Sequence, residues 1–191
     1  MNPAQDDTTA AALLLGPAAF TAQLEDLLDP AYRLAMVMLD DDHPAAEDVV
    51  LRASLRAWRR SGEVRGPGRF RPWFLAIVAG GCLAARRRRR WVGRLRRMEW
   101  ASRLRRLRRA TEPAEAAPQP APAPHPGGEL GEAVRQLDVR DRAALFCRCY
   151  LDLPMEEVAA VLRVSEPSAR RRVWWAAEAL RPGLEPVGDL W

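Results

Sequence analysis

Apolar positions recur three and four residues apart in two separate stretches of this chain, and they never alternate at period two over a useful length. In the first stretch Phe20, Leu24, Leu27, Leu28, Leu34 and Val37 mark one helix. Asp40–His43 ends it, and Pro44 suits the first turn of the next helix, whose apolar face is Val49, Val50, Ala53, Ala57 and Trp58. A Gly- and Pro-bearing loop, Ser61–Arg69, follows, and a third helix is expected from about Pro72 with Trp73, Ile77 and Val78 inward. In the second stretch Leu130, Val134 and Leu137 mark a short helix. Asp138 caps the next, with Ala144, Leu145, Cys149 and Tyr150 on its apolar side. Pro154 opens another short helix through Met155, Val158, Ala159 and Leu162. After Arg163-Val164, Ser165 is the cap of a longer helix reaching about Leu180.

Between the stretches, residues 111–128 hold six Pro among eighteen and no large apolar side chain, the composition of a polyproline II linker. Extended, it spans roughly 55 Å, or about 16 base pairs of duplex rise. The expected organisation is therefore an N-terminal segment 1–16, a helical module 17–109 with an Arg-rich extension (86–109), a linker 110–128, a second module 129–182, and a tail 183–191. The expected fold class is all-α: two small helical domains joined by a Pro-rich linker, the C-terminal one a helix-turn-helix.

Length and composition narrow the function. Of 191 residues, each module has too few for more than a thin core. Three cysteines, Cys82, Cys147 and Cys149, are too few for a disulfide scaffold, and the odd count fits a reducing compartment. Cys147 and Cys149, two apart, point to different helix faces and make a poor metal pair. His43 and His125 both sit beside Pro, and no carboxylate pair or triad stands out. Neither an enzyme nor a cofactor, metal or small-molecule substrate is expected. Gly66-Pro67-Gly68 lacks the preceding strand and third Gly of a phosphate loop. Ala10–Gly16, the longest apolar stretch, is too short to cross a bilayer and has no basic residues before it; no transmembrane segment and a cytoplasmic location are expected.

Charge changes the picture more. The net +5 contains thirty cations, all Arg. By position it is −9 over residues 1–50, +6 over 51–85, +12 over 86–110, −2 over 111–128 and −2 over 129–191. Thirteen Arg within 25 residues form a footprint for a polyanion. Within 91–109, Trp91, Leu95 and Met98 share one helix side while Trp100, Leu104 and Leu107 lie opposite. This predicts a basic extension of the third helix with a break near Met98–Ala101, not a membrane-surface helix. Its partner would be DNA, nascent RNA, an acidic protein surface, or the chain's own acidic front, which would be autoinhibitory.

The final helix carries the sharpest chemistry. Ala169, Val173, Ala176, Ala177 and Leu180 form an apolar face; Ser168, Arg171, Arg172 and Trp175 form the opposite one, flanked by Arg170 and Trp174. A short helix, a tight turn and such a helix is the outline of a helix-turn-helix that reads a major groove.

At these residues the chain resembles a known family. Residues 137–182, with Leu137, Arg140 and Arg142, then Glu156–Leu162, then the Arg-bearing helix after Val164-Ser165-Glu166, resemble region 4 of extracytoplasmic-function sigma factors of the sigma-70 family. Ala45–Val50, Leu55–Arg60, Arg69–Ala79 and the Arg run 86–90 resemble region 2, in the family's order. The resemblance implies a specificity subunit that binds core RNA polymerase, through the β′ clamp helices and the β flap, and directs it to promoter DNA. Many such proteins are held inactive by an anti-sigma factor. It implies that Ser168, Arg170, Arg171, Arg172 and Trp175 meet the −35 element. Arg65, Arg69, Arg71, Trp73, Arg86, Arg87, Arg88, Arg89 and Arg90 would meet the −10 region and its backbone. Glu47, Asp48, Leu51 and Arg52 would meet polymerase.

Several positions depart from the family pattern. Leu51 and Arg52 stand where Gln and an acid are usual, and Ser54 where an aromatic is common. Ala76, Gly80 and Ala84 replace polar residues, and Arg163 replaces the turn Gly. A non-Gly residue at positive φ is strained by about 1 kcal/mol or more. Two other readings follow: a degenerate sigma-like DNA-binding regulator that no longer forms a productive holoenzyme, and an interaction protein whose Arg-rich segment binds RNA or anionic membrane.

Overall fold

The computed structural model describes residues 17–64, 68–107 and 128–181. Arg65, the linker and both chain ends, with the expectations attached to them, lie outside these. Every described element is helical: α1 (Pro17–Met38), α2 (His43–Arg59), a 3-10 turn (Ser61–Glu63), α3 (Phe70–Leu107), α4 (Gly128–Gln136), α5 (Val139–Leu145) running into a π turn (Phe146–Tyr150), α6 (Met155–Leu162) and α7 (Glu166–Leu180). The chain turns between α1 and α2 through Asp40 and Asp41, both left-handed at φ 57° and 60°. Asp is among the few residues that tolerate this region. The carboxylate of Asp42 then accepts the Ala45 N–H at 2.9 Å and caps α2, with Pro44 in its first turn.

Helices α1 to α3 pack around Leu34, Met38, Leu39, Phe74, Leu75 and Val78, all buried. Phe70 stacks on Phe74 with centroids 6.0 Å apart, and the ring of Phe20 meets Phe70 edge-on at 5.3 Å. Each such side chain contributes about 1.5–3 kcal/mol by leaving water. The C-terminal helices bury Ala143, Ala144, Cys147, Leu153, Val158, Val161 and Ala169. These two groups form one continuous core, because α6 lies on α3 and α5 lies on α1. A thin core in each half is the physical reason: docking hides apolar surface that neither half can cover alone.

The structure corrects four local expectations. Helix α3 starts at Phe70, with Pro72 inside its first turn. It runs unbroken to Leu107, roughly 57 Å at 1.5 Å per residue, so the expected break near Met98–Ala101 is absent. No Pro or Gly follows Gly93 within it, and Arg, Leu, Met and Ala all favour helix. Trp58 is 48% exposed and meets Phe20 edge-on, because the Ala53 and Ala57 seam already faces the core. Cys149 and Tyr150 are also exposed, whereas Cys147 and Leu151 are buried. In the π turn the Leu151 N–H reaches back five residues to the Phe146 carbonyl at 3.1 Å, which brings Leu151 into the core.

Burial pushes the thiols of Cys82 and Cys147 up to about 12. Partial burial also raises that of Cys149, which lies at the surface. At pH 8, titration with a disulfide reagent is expected to find one reactive thiol in the native protein and three after denaturation. Fast reaction of two thiols in the native state would show that this core is not closed.

Candidate nucleic-acid interface

Helix α7 is launched by a strained turn. Arg163 is left-handed at φ 54° and ψ 49°, and its N–H and that of Val164 close α6 on the carbonyls of Ala160 and Ala159. Ser165 occupies the cap position, but its hydroxyl pairs with that of Ser168 at 2.9 Å, not with the backbone. Ala169, Ala176 and Leu180 are buried, which turns the opposite face of α7 to solvent. On it Arg171 is exposed and makes no ion pair with any described residue. Arg170 is exposed and tied to Glu166 at 2.5 Å. Trp174 and Trp175 both stand at the surface and meet edge-to-face at 4.7 Å. Arg172 differs from expectation: it is half-buried and held by Asp141 at 2.5 Å, so it buttresses α5 and is not free on the outer face.

The N-terminal module carries a second cationic surface. Arg69 is exposed, and Trp73 is half-buried with its ring tilted on Phe70 at 5.8 Å. Arg71 donates to the Leu151 carbonyl at 2.7 Å, across the seam between the modules. Arg69 and Trp73 line a cleft of about 680 Å³ whose far wall is Glu156, Glu157 and Arg163 of the C-terminal module. At its rim Arg60 holds Glu63 at 2.5 Å, and that hydrogen bond keeps the Glu63 carboxyl below its ordinary range. Along α3, Arg87, Arg88 and Arg90 are exposed. Arg86 and Arg89 turn back onto the protein: Arg86 donates to the Met38 carbonyl at 2.9 Å and to Asp40 at 2.5 Å, and Arg89 pairs with Asp42.

The outer face of α2 holds the residues expected to meet polymerase. Glu47 is exposed, Asp48 and Arg52 pair with each other at 2.8 Å, and Leu51 is 61% exposed. With Leu55 and Trp58, Leu51 forms an apolar stripe at helical spacing.

The reading of the sequence missed one cluster. Asp40 accepts from Arg142 at 2.7 Å as well as from Arg86, and Asp41 accepts from Arg135 at 2.5 Å. Arg142 is only 3% exposed. Partial burial pushes the Asp40 carboxyl up, but Arg142 and Arg86 together outweigh it and hold it below its ordinary 3.8. Three consecutive Asp, and an Arg whose position falls in phase with buried Ala143, Ala144 and Cys147, were the available signals.

Residues 24–92, from within α1 to within α3, match the Sigma-70 region 2 family. Within those residues the chain carries a sigma-70 region 2. No curated protein matches the sequence. Among solved structures, the sigma factor RpoE in its co-crystal structure with the anti-sigma factor NepR from Bartonella quintana aligns with a TM-score of 0.58 at 19% identity, over 88% of this chain and 98% of that one. The fold is thus shared with that sigma factor, and it is all-helical among the described residues, as expected. Among the described residues no helix of this chain is long and apolar enough to cross a membrane.

Proposed function

We propose that this chain is a sigma factor that directs core RNA polymerase to promoters through two surfaces, α7 for the −35 element and the segment from Arg69 along α3 for the −10 region. The carrying observation is the outward face of α7, where Arg171 has no ion pair among the described residues and stands beside Arg170, Trp174 and Trp175, opposite an apolar inner face. A helix with that division fits the major groove, where Arg reads guanine edges or holds phosphates. Arg69, Arg87, Arg88 and Arg90 supply phosphate contacts, and Trp73 offers a partly exposed ring on which an unstacked base can lie. The α2 face of Glu47, Asp48, Leu51 and Arg52 docks the polymerase clamp, and the C-terminal module meets the β flap. These are binding roles with no bond made or broken, exercised in the cytoplasm. An anti-sigma factor is a further partner class, supported by the complex in which the Bartonella sigma factor was crystallised.

Transcription with core polymerase on genomic fragments of the host is the test: discrete, factor-dependent start sites are expected. Absence of both transcripts and core binding would refute the proposal. One observation favours a second reading, a DNA-binding regulator without productive polymerase contact. The α2 face couples an exposed Leu51, Leu55 and Trp58 stripe to an Asp48 already neutralised by Arg52. Site-specific duplex binding without core binding would select it.

A further inference from the structure

The modules, which a linker of roughly 55 Å reach would let stand apart, are instead closed on each other, and the closure runs through the α1–α2 turn. Asp40 and Asp41 reach forward to the C-terminal module, to Arg142 and Arg135. Asp40 and Asp42 reach sideways to Arg86 and Arg89 of α3. Both consequences bear on DNA. Helix α6 is held over the start of α3, so that Glu156 and Glu157 face Arg69 and Trp73 across the cleft and Arg71 is spent on a backbone carbonyl. Two of the five Arg in the run 86–90 already hold carboxylates in place of phosphates. The outer face of α7 stays open.

We propose that the acidic turn Asp40–Asp42 is an autoinhibitory latch, an internal stand-in for DNA phosphate that keeps part of the −10 surface, Arg71, Arg86 and Arg89, engaged within the protein and releases it when a polyanion or polymerase displaces the carboxylates. The latch rests on the reading of that surface as DNA-binding and gives its regulation. Left-handed Asp40 and Asp41 are what fan the carboxylates to both sides of the turn. The Nε of Arg142 and one terminal nitrogen of Arg135 are buried without a hydrogen-bond partner. The latch is therefore incompletely satisfied, which favours a contact that opens over one fixed permanently.

The test uses the full chain. In D40N/D41N, Asn tolerates the left-handed turn while the charges are removed. Its radius of gyration by X-ray scattering is expected to rise by about a quarter or more as the modules part. Its affinity for a random-sequence 30-base-pair duplex is expected to rise about tenfold at 100 mM salt. The slope of log K against log salt should steepen by about 1, since Arg86 loses its carboxylate and becomes available for phosphate. E25Q/D26N, which removes two exposed carboxylates elsewhere on α1, controls for net charge and is expected to change affinity less than about twofold. If D40N/D41N does not fold, D41N alone, which removes the partner of Arg135, leaves the Asp40–Arg142 pair and suits the left-handed turn, replaces it with the same expected rise in radius. An unchanged radius, or equal gains in latch and control variants, overturns the latch. Neither readout involves polymerase, so a failed transcription assay leaves this result standing, and the reverse holds.

Discussion

Asp40→Ala is expected to destabilise the protein by about 3 kcal/mol and to lower its Tm by roughly 6–12 °C, whereas Arg142→Met is expected to cost about 1 kcal/mol or less. The asymmetry follows from where water can reach. Arg142 is 3% exposed, and Asp40 is the only carboxylate its guanidinium meets among the described residues. Removing that carboxylate leaves a buried unpaired cation, the costly case. Asp40 itself is 48% exposed and retains Arg86, so losing Arg142 leaves it hydrated and still paired. The double variant D40A/R142M is expected to recover most of the loss, since an apolar side chain of similar length fills the site without a charge. Asp40→Asn separates charge from backbone, because Asn accepts the left-handed conformation that Ala resists. The sign with pH is fixed by the lowered carboxyl. The pair contributes in full above 3.8, the ordinary value, and its contribution is lost as pH falls through the lower value of the folded state. The gap between wild type and D40N should therefore be open at pH 7 and close in acid. Thermal melts at several pH values measure it, and a gap that persists in acid would show that Asp40 acts through the backbone alone.

Helical spacing, Pro and Gly placement and capping residues gave the helix count and most boundaries, because these are local signals written every few residues. Asp138 shows this, capping α5 on the Arg140 N–H at 2.9 Å as its sequence position suggests. The two faces of α7 were legible for the same reason. Docking of the modules was not: it joins Asp40 to Arg142, 102 residues away across the Pro-rich stretch, and no periodicity encodes such a pairing. Asp40–His43 reads as a helix stop, and it is one; its second role needs the partner in view. Arg172 failed for a subtler reason. It lies on the border of the α7 face, and Asp141 of α5 decides which way its side chain turns. Trp58 illustrates the limit of apolar character as a guide, since a seam already filled by Ala53 and Ala57 leaves a large ring outside. The acidic front was expected as a partner of the Arg-rich 91–109 segment. Among the described residues, contacts of the acidic turn fall on Arg86 and Arg89, where the α1–α2 turn can reach.

Across the α7 face, Arg171→Ala is expected to weaken binding of a −35 duplex by about 1–3 kcal/mol, roughly 5- to 150-fold, while Arg172→Ala weakens it far less and lowers stability instead. The three Arg of this helix are alike in sequence and unlike in commitment. Arg171 is exposed with no ion pair among the described residues, so its guanidinium is available for a bidentate contact without first surrendering a partner. Arg170 must give up Glu166 or share it, and Arg170→Ala is expected to fall between the other two. Arg172 binds Asp141, which is one-quarter exposed, and Arg172→Ala leaves that carboxylate short of its partner at the α5–α7 contact. Arg171→Lys separates the two ways Arg171 can act. If it reads a base edge, Lys cannot supply the two-pronged contact and sequence discrimination at one position falls. If it holds a phosphate, Lys retains most of the affinity and binding weakens uniformly across sequences. Competition binding of the purified chain against single-base variants of the selected site distinguishes the cases. A recognition role for α7 would be refuted by R171A and R172A losing the same affinity, or by neither losing any.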